Sequence, residues 1–132
     1  MIPHPIDHIA IAVKDLDKEI TRYTDLWGAT LEFREAVASQ KTEVAFIQTP
    51  NTRIELLTPL DSTSAVTKFL EKRGEGLHHI CYKVPDIKAE LTRLASLGCI
   101  LIDKEPRIGA GGHLIAFIHP KSMGGVLVEL CE

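Results

Sequence analysis

Apolar residues along this chain recur at two periods, and the period changes in the same order twice. Alternation at every second residue marks a half-buried strand, whereas recurrence at three to four residues marks an amphipathic helix. Ile6–Lys14 alternates, with Ile9, Ile11 and Val13 on one face and His8, Ala10 and Ala12 on the other. Asp15 then stands where a side-chain oxygen caps a helix whose apolar positions are Leu16, Ile20, Tyr23 and Trp27, and Gly28 ends it. Thr30–Val37, Val44–Gln48 and Arg53–Thr58 read as strands, separated by the polar loop Ala38–Thr42 and the turn Thr49–Thr52. The predicted unit is one strand, one helix and three strands.

The same order follows after a linker. Pro59–Ser64 predicts a turn that ends on an N-cap, and Val66, Phe69 and Leu70 predict a short helix closing near Arg73 and Gly74. Leu77–Val84 is a second strand of the first kind. Asp86–Leu97 predicts a helix on Ile87, Leu91 and Leu94 with Gly98 at its C-terminal cap, and strands follow near Cys99–Asp103, Leu114–His119 and Gly125–Cys131. Between them lies the glycine-rich stretch Arg107–Gly112, RIGAGG. Two readings stand for it: backbone N–H groups held against a phosphate or carboxylate, or a plain flexible turn. Without a strand before it and a helix after it, it is not a dinucleotide fingerprint.

The two halves correspond residue by residue. IDHIAIAV at Ile6–Val13 and LHHICYKV at Leu77–Val84 place His8 on His79, Val13 on Val84, Asp15 on Asp86, Ile20 on Leu91 and Arg22 on Arg93. VAFIQTPNTRIELL (Val44–Leu57) and IAFIHPKSMGGVLVEL (Ile115–Leu130) share an AFI start and a glutamate inside an apolar run, Glu55 and Glu129. The expected organisation is one domain of two repeats, about 4–58 and 76–132, joined by a helical linker at about 59–75. Two such units packed about an approximate twofold axis would bring His8, Glu55, His79 and Glu129 to one point. Two imidazoles and two carboxylates suit a divalent cation such as zinc, cobalt, nickel or manganese. Strand register selects His79 over His78, because His78 shares the packed face with Ile80 and Tyr82 while His79 lies opposite with Cys81.

Composition narrows the classes of partner. With 15 basic and 18 acidic residues among 132, the net charge of −3 carries no nucleic-acid footprint. No apolar run is long enough to span a membrane, and the N-terminus MIPHPIDHI lacks the regions of a signal peptide, so a cytoplasmic protein is expected. The three cysteines, Cys81, Cys99 and Cys131, lie in apolar strands without CxxC spacing and read as buried free thiols.

Two strand-helix-three-strand units with this placement of histidine and glutamate resemble the vicinal oxygen chelate superfamily, which includes glyoxalase I, extradiol dioxygenases and methylmalonyl-CoA epimerases. More specific strings, KFLEKRGEGLHHI (Lys68–Ile80), IDKEPRIGAGG (Ile102–Gly112) and AFIHPKSMGGVLVELCE (Ala116–Glu132), look like the epimerase family. The resemblance implies an α+β fold in which tandem βαβββ repeats form a curved mixed sheet around a metal-binding cleft. It implies His8, Glu55, His79 and Glu129 as ligands of one divalent ion per chain, with glutamine in some relatives at the Glu55 position. The implied reaction interconverts (R)- and (S)-methylmalonyl-CoA through a metal-stabilised enolate; the alternative is a glyoxalase I-type lyase acting on a hemithioacetal. Epimerisation needs an acid or base on each face of the planar intermediate. The resemblance suggests Glu129 for one face and Glu43 for the other, against the plainer reading of Glu43 as a solvated strand residue. Lys104, Arg107 and Lys121 are the candidates for binding the phosphates or carboxylate of a CoA thioester. A homodimer is the assembly that the resemblance implies.

Overall fold

The computed structural model describes residues 3–132. Its elements, in order, are β1 (Ile6–Ala12), α1 (Leu16–Trp27), β2 (Thr30–Val37), β3 (Thr42–Gln48), β4 (Arg53–Pro59), α2 (Ala65–Arg73), β5 (Gly76–Lys83), α3 (Ile87–Ser96), β6 (Arg107–Ile108), β7 (Leu114–Ile118) and β8 (Val128–Cys131). The chain divides into two compact units: His8–His78, and His79–Glu132 together with the segment ahead of His8.

In the first unit the strands run β2–β3–β4–β1. β2, β3 and β4 pair antiparallel, and β4 pairs parallel with β1. A parallel pair needs a crossover, and α1 begins it. Its start is fixed by Asp15, whose carboxylate accepts the Lys18 N–H, and its end by Gly28, which takes the left-handed conformation at φ 64°. The apolar stripe of α1 packs on the sheet: Leu16, Ile20 and Tyr23 meet Val13, Ala45, Ile47 and Leu56. Ile47 and Leu56 are fully buried, each contributing on the order of 1.5–3 kcal/mol. α2 follows β4 and is capped by Ser64, which accepts the Val66 N–H.

The second unit orders its strands β6–β7–β8–β5, again with two antiparallel pairings and a parallel one between β8 and β5. Asp86 caps α3 by accepting the Ala89 N–H, and Ile87 and Leu91 bury against Val84, Ala116, Ile118, Val128 and Leu130. The segment ahead of His8 joins this unit through the Lys83 N–H, which donates to the Pro5 carbonyl.

Three local expectations change. Cys99–Asp103 is not a strand; Leu101 alone bridges to Ile118, and the Asp103 carboxylate accepts the Phe117 N–H that a neighbouring strand would otherwise take. The edge strand is instead Arg107–Ile108, inside the glycine-rich stretch, followed by a 3-10 turn at Ala110–Gly112. The loop Ala38–Thr42 is shorter than expected: Ala38–Gln40 forms a 3-10 turn, and β3 already begins at Thr42. No helix among the described residues is long and apolar enough to cross a membrane.

Candidate functional site

Paired residues on neighbouring strands share a face, so the register states which side chains stand together. In the first unit Ala10, Glu55, Phe46 and Phe33 form one rung across β1, β4, β3 and β2. His8 and Arg53 pair on the rung before, and Ala12, Leu57, Val44 and Glu35 form the rung after. This face lies opposite the one covered by α1. The edge of the Phe46 ring system holds the site: His8 meets it T-shaped at 5.1 Å, Phe33 stacks on it at 4.8 Å, and the Arg53 guanidinium lies over it at 4.4 Å. His8 Nε2 stands 3.6 Å from Glu55 Oε1, and the two residues are 4% and 6% exposed.

The second unit repeats the arrangement. Cys81, Glu129 and Phe117 share a rung across β5, β8 and β7, and Lys83, Cys131, Ile115 and Arg107 share the next. His79 meets the Phe117 ring T-shaped at 5.3 Å, and its Nε2 lies 3.4 Å from Glu129 Oε1. Both residues are 5% exposed. His78, on the other face, meets the Phe69 ring of α2.

A buried carboxylate beside a buried imidazole offers an oxygen and a nitrogen donor of the kind divalent cations take. The separations also match those of two ligands on one ion. Two donor atoms each about 2.1 Å from a tetrahedral ion stand about 3.4 Å apart, close to both observed values. Each unit therefore carries a nitrogen and an oxygen spaced as neighbouring ligands of a divalent cation.

Glu43 is not brought onto this face. It pairs with Thr58 and Ala36 and shares its side of β3 with Ala45 and Ile47, the side that α1 covers. Its carboxylate accepts from Arg34 Nε at 2.9 Å, and Arg34 also bonds Asp17 of α1. Glu43 first and Asp17 second push the Arg34 guanidinium pKa further up. The structure thus places Glu43 on the α1 side of β3, one residue of register away from the face that carries His8 and Glu55. Val44 occupies the site side at this point of β3.

Of the three basic candidates, Arg107 lies on the site face of its unit, with its guanidinium 5.8 Å from the Phe117 centroid and an ion pair to Asp103 at 3.3 Å. Lys104 and Lys121 are exposed. Cys81 and Cys131 are buried thiols outside any disulfide, and the Cys99 thiol is half-buried. A hydrogen bond with Cys131, then burial, then the charge of Glu129 hold the Cys81 thiol far above the usual range, so it packs as a neutral group. Sequence reasoning missed Phe33, Glu35, Phe46, Arg53 and Phe117 on these faces. Carrying the alternation through Thr30–Val37 would have found Phe33 and Glu35.

Residues 7–117 match the glyoxalase/bleomycin resistance protein/dioxygenase superfamily. The chain belongs to that superfamily. Within it, the chain is 44% identical over 127 residues to the ethylmalonyl-CoA/methylmalonyl-CoA epimerase of Cereibacter sphaeroides, covering 95% of each. It superposes on the crystal structure of methylmalonyl-CoA epimerase from Mycobacterium tuberculosis with a TM-score of 0.94 at 39% identity, covering 100% of this chain and 92% of that one. A methylmalonyl-CoA epimerase in complex with methylmalonyl-CoA and ammonium gives a TM-score of 0.92 at 36% identity, covering 97% and 93%. The fold is that of this superfamily, built here from two βαβββ units.

Proposed function

We propose that this protein is an epimerase that interconverts (R)- and (S)-methylmalonyl-CoA. The observation that carries the reading is similarity to epimerases along nearly the whole chain, and the two buried His–Glu pairs give it a chemical basis. In this reading His8, Glu55, His79 and Glu129 would hold one divalent cation: cobalt, zinc, nickel or manganese. Such a cation supplies Lewis-acid stabilisation for negative charge that develops on a thioester oxygen.

The remaining work falls to side chains. The α-carbon lies between a thioester and a carboxylate, so its proton is acidic enough for a positioned carboxylate to remove. Glu129 exchanges that proton on one face. The low exposure of both His–Glu pairs keeps water away, which strengthens each charge interaction. Phe46 and Phe117 hold the two imidazoles by edge contacts, so the ligands keep their orientation between turnovers. Arg107 is the side chain we assign to the substrate carboxylate or a CoA phosphate, with Lys104 and Lys121 as outer contacts for phosphate. The reading also takes the protein as a homodimeric cytoplasmic enzyme, and light scattering in solution checks the dimer.

The test is conversion of stereochemically pure methylmalonyl-CoA by metal-replete protein, followed by chiral chromatography. The expected result is an equal mixture of epimers at catalytic protein concentration. Retention of purity by metal-replete protein, with turnover of a methylglyoxal–glutathione hemithioacetal instead, would transfer the assignment to the lyase reaction.

A further inference from the structure

Epimerisation needs a proton-transfer group on each face of the planar intermediate, and Glu43 is turned toward α1. Among the carboxylates of the first unit, the register singles out Glu35. It lies on β2 directly across from Val44, on the same face as Phe33, Phe46, Glu55 and His8. It is half-buried, in contrast to the exposed Glu32 and Ala36 nearby. Strand spacings put its Cα on the order of 12 Å from that of Glu55, two strands over and two residues along.

The repeat gives an independent reason to look here. Phe46 corresponds to Phe117, so Val44 corresponds to Ile115, and Glu35 and Arg107 are the cross-strand partners of those two residues. Equivalent positions thus carry an anion in one unit and a cation in the other. An acyl group with a carboxylate at one end and an acidic C–H beside it calls for that combination.

We propose that Glu35 is the second catalytic base, acting on the face of the substrate that Glu129 does not serve; this rests on the epimerase reading above. The Glu35 carboxylate takes the α-proton, the C–H electron pair passes to the thioester oxygen as the enolate forms, and protonated Glu129 delivers a proton to the opposite face. After product leaves, the Glu35 carboxyl gives its proton to solvent and Glu129 takes one from it, so both groups are restored for the next turnover.

The experiment follows α-proton exchange from each pure epimer in heavy water, with cobalt-replete parent, Glu35→Gln and Glu43→Gln proteins and with cobalt content measured for each. For Glu35→Gln the expected result is epimerisation reduced by at least about 100-fold, exchange retained by one epimer and lost by the other, and cobalt content equal to the parent. Should the glutamine variant fail to fold, Glu35→Asp carries the test, with the same one-sided slowing by about tenfold. Exchange from both epimers within threefold of the parent overturns the proposal, as does loss of exchange from both with cobalt intact, or one-sided loss in Glu43→Gln instead. An active parent with a symmetric Glu35→Gln variant overturns only this assignment, whereas a cobalt-replete parent that exchanges neither epimer overturns the epimerase reading with it.

Discussion

The two βαβββ units hold the same His–Glu pair in unlike surroundings. The pairs are nearly superposable in their numbers, 3.6 Å in the first and 3.4 Å in the second, and an aromatic ring braces each histidine at 5.1 and 5.3 Å. Around them little else is kept. Ala10 and Leu57 in the first unit stand where Cys81 and Cys131 stand in the second, and Glu35 stands where Arg107 does. β2 has eight residues whereas its counterpart β6 has two. In the reading proposed above, the His–Glu pairs are kept because a cation uses both, and the surrounding rungs are free to differ. A shared cation has use for symmetry, but a substrate with unlike ends does not.

If that division is correct, removing a ligand from either half should hurt equally. His8→Ala and His79→Ala should each lower metal affinity by well over 100-fold, measured by competition with a chelating dye. A tenfold disparity between them would break the symmetry on which the account rests. The glutamates should then separate. Glu55→Gln and Glu129→Gln should weaken metal binding by similar factors, but at saturating metal Glu129→Gln should turn over roughly 100-fold more slowly, because in the proposed reading Glu129, unlike Glu55, also moves a proton. Equal turnover would remove that role from Glu129.

The unlike neighbours give a smaller test. Cys81 and Cys131 are buried, and the Cys81 thiol is held neutral by Cys131, burial and Glu129. A maleimide should therefore label half-buried Cys99 at least about tenfold faster than either, as read by peptide mass mapping. The smallest effect concerns the helices. Asp15→Ala and Asp86→Ala each remove an N-cap bond from equivalent helices and should each lower unfolding free energy by about 1 kcal/mol in urea titration.

Much of this was legible in the chain because local signals agreed with the fold. Asp15, Gly28, Ser64 and Asp86 cap helices at the positions that their side chains and backbone freedom predict. Alternation in β1 and β5 put His8 and His79 on one kind of face and Ile11 and Tyr82 on the other, because each strand has one face under a helix. Alternation gave no guidance in β3. Val44, Ala45, Phe46 and Ile47 are all buried, so both faces are apolar and the residue before them, Glu43, has no visible side. Arg34, itself bonded to Asp17 of α1, draws it to the helix side, and those two residues lie 9 and 26 positions away in sequence. β6 was hidden for another reason: two residues in a glycine-rich stretch carry no periodicity, and only pairing with β7 makes them a strand.

Whether the two equivalent pairs serve one cation, as proposed above, is decided by counting ions. Cobalt bound per chain would be measured by native mass spectrometry on metal-stripped protein titrated with the ion, for the parent and for a His8→Ala, Glu55→Gln double variant. The account predicts one cobalt per chain at saturation and none retained at the same free concentration once the first pair is removed. Two ions per chain, or one that survives in the double variant at unchanged affinity, would contradict it.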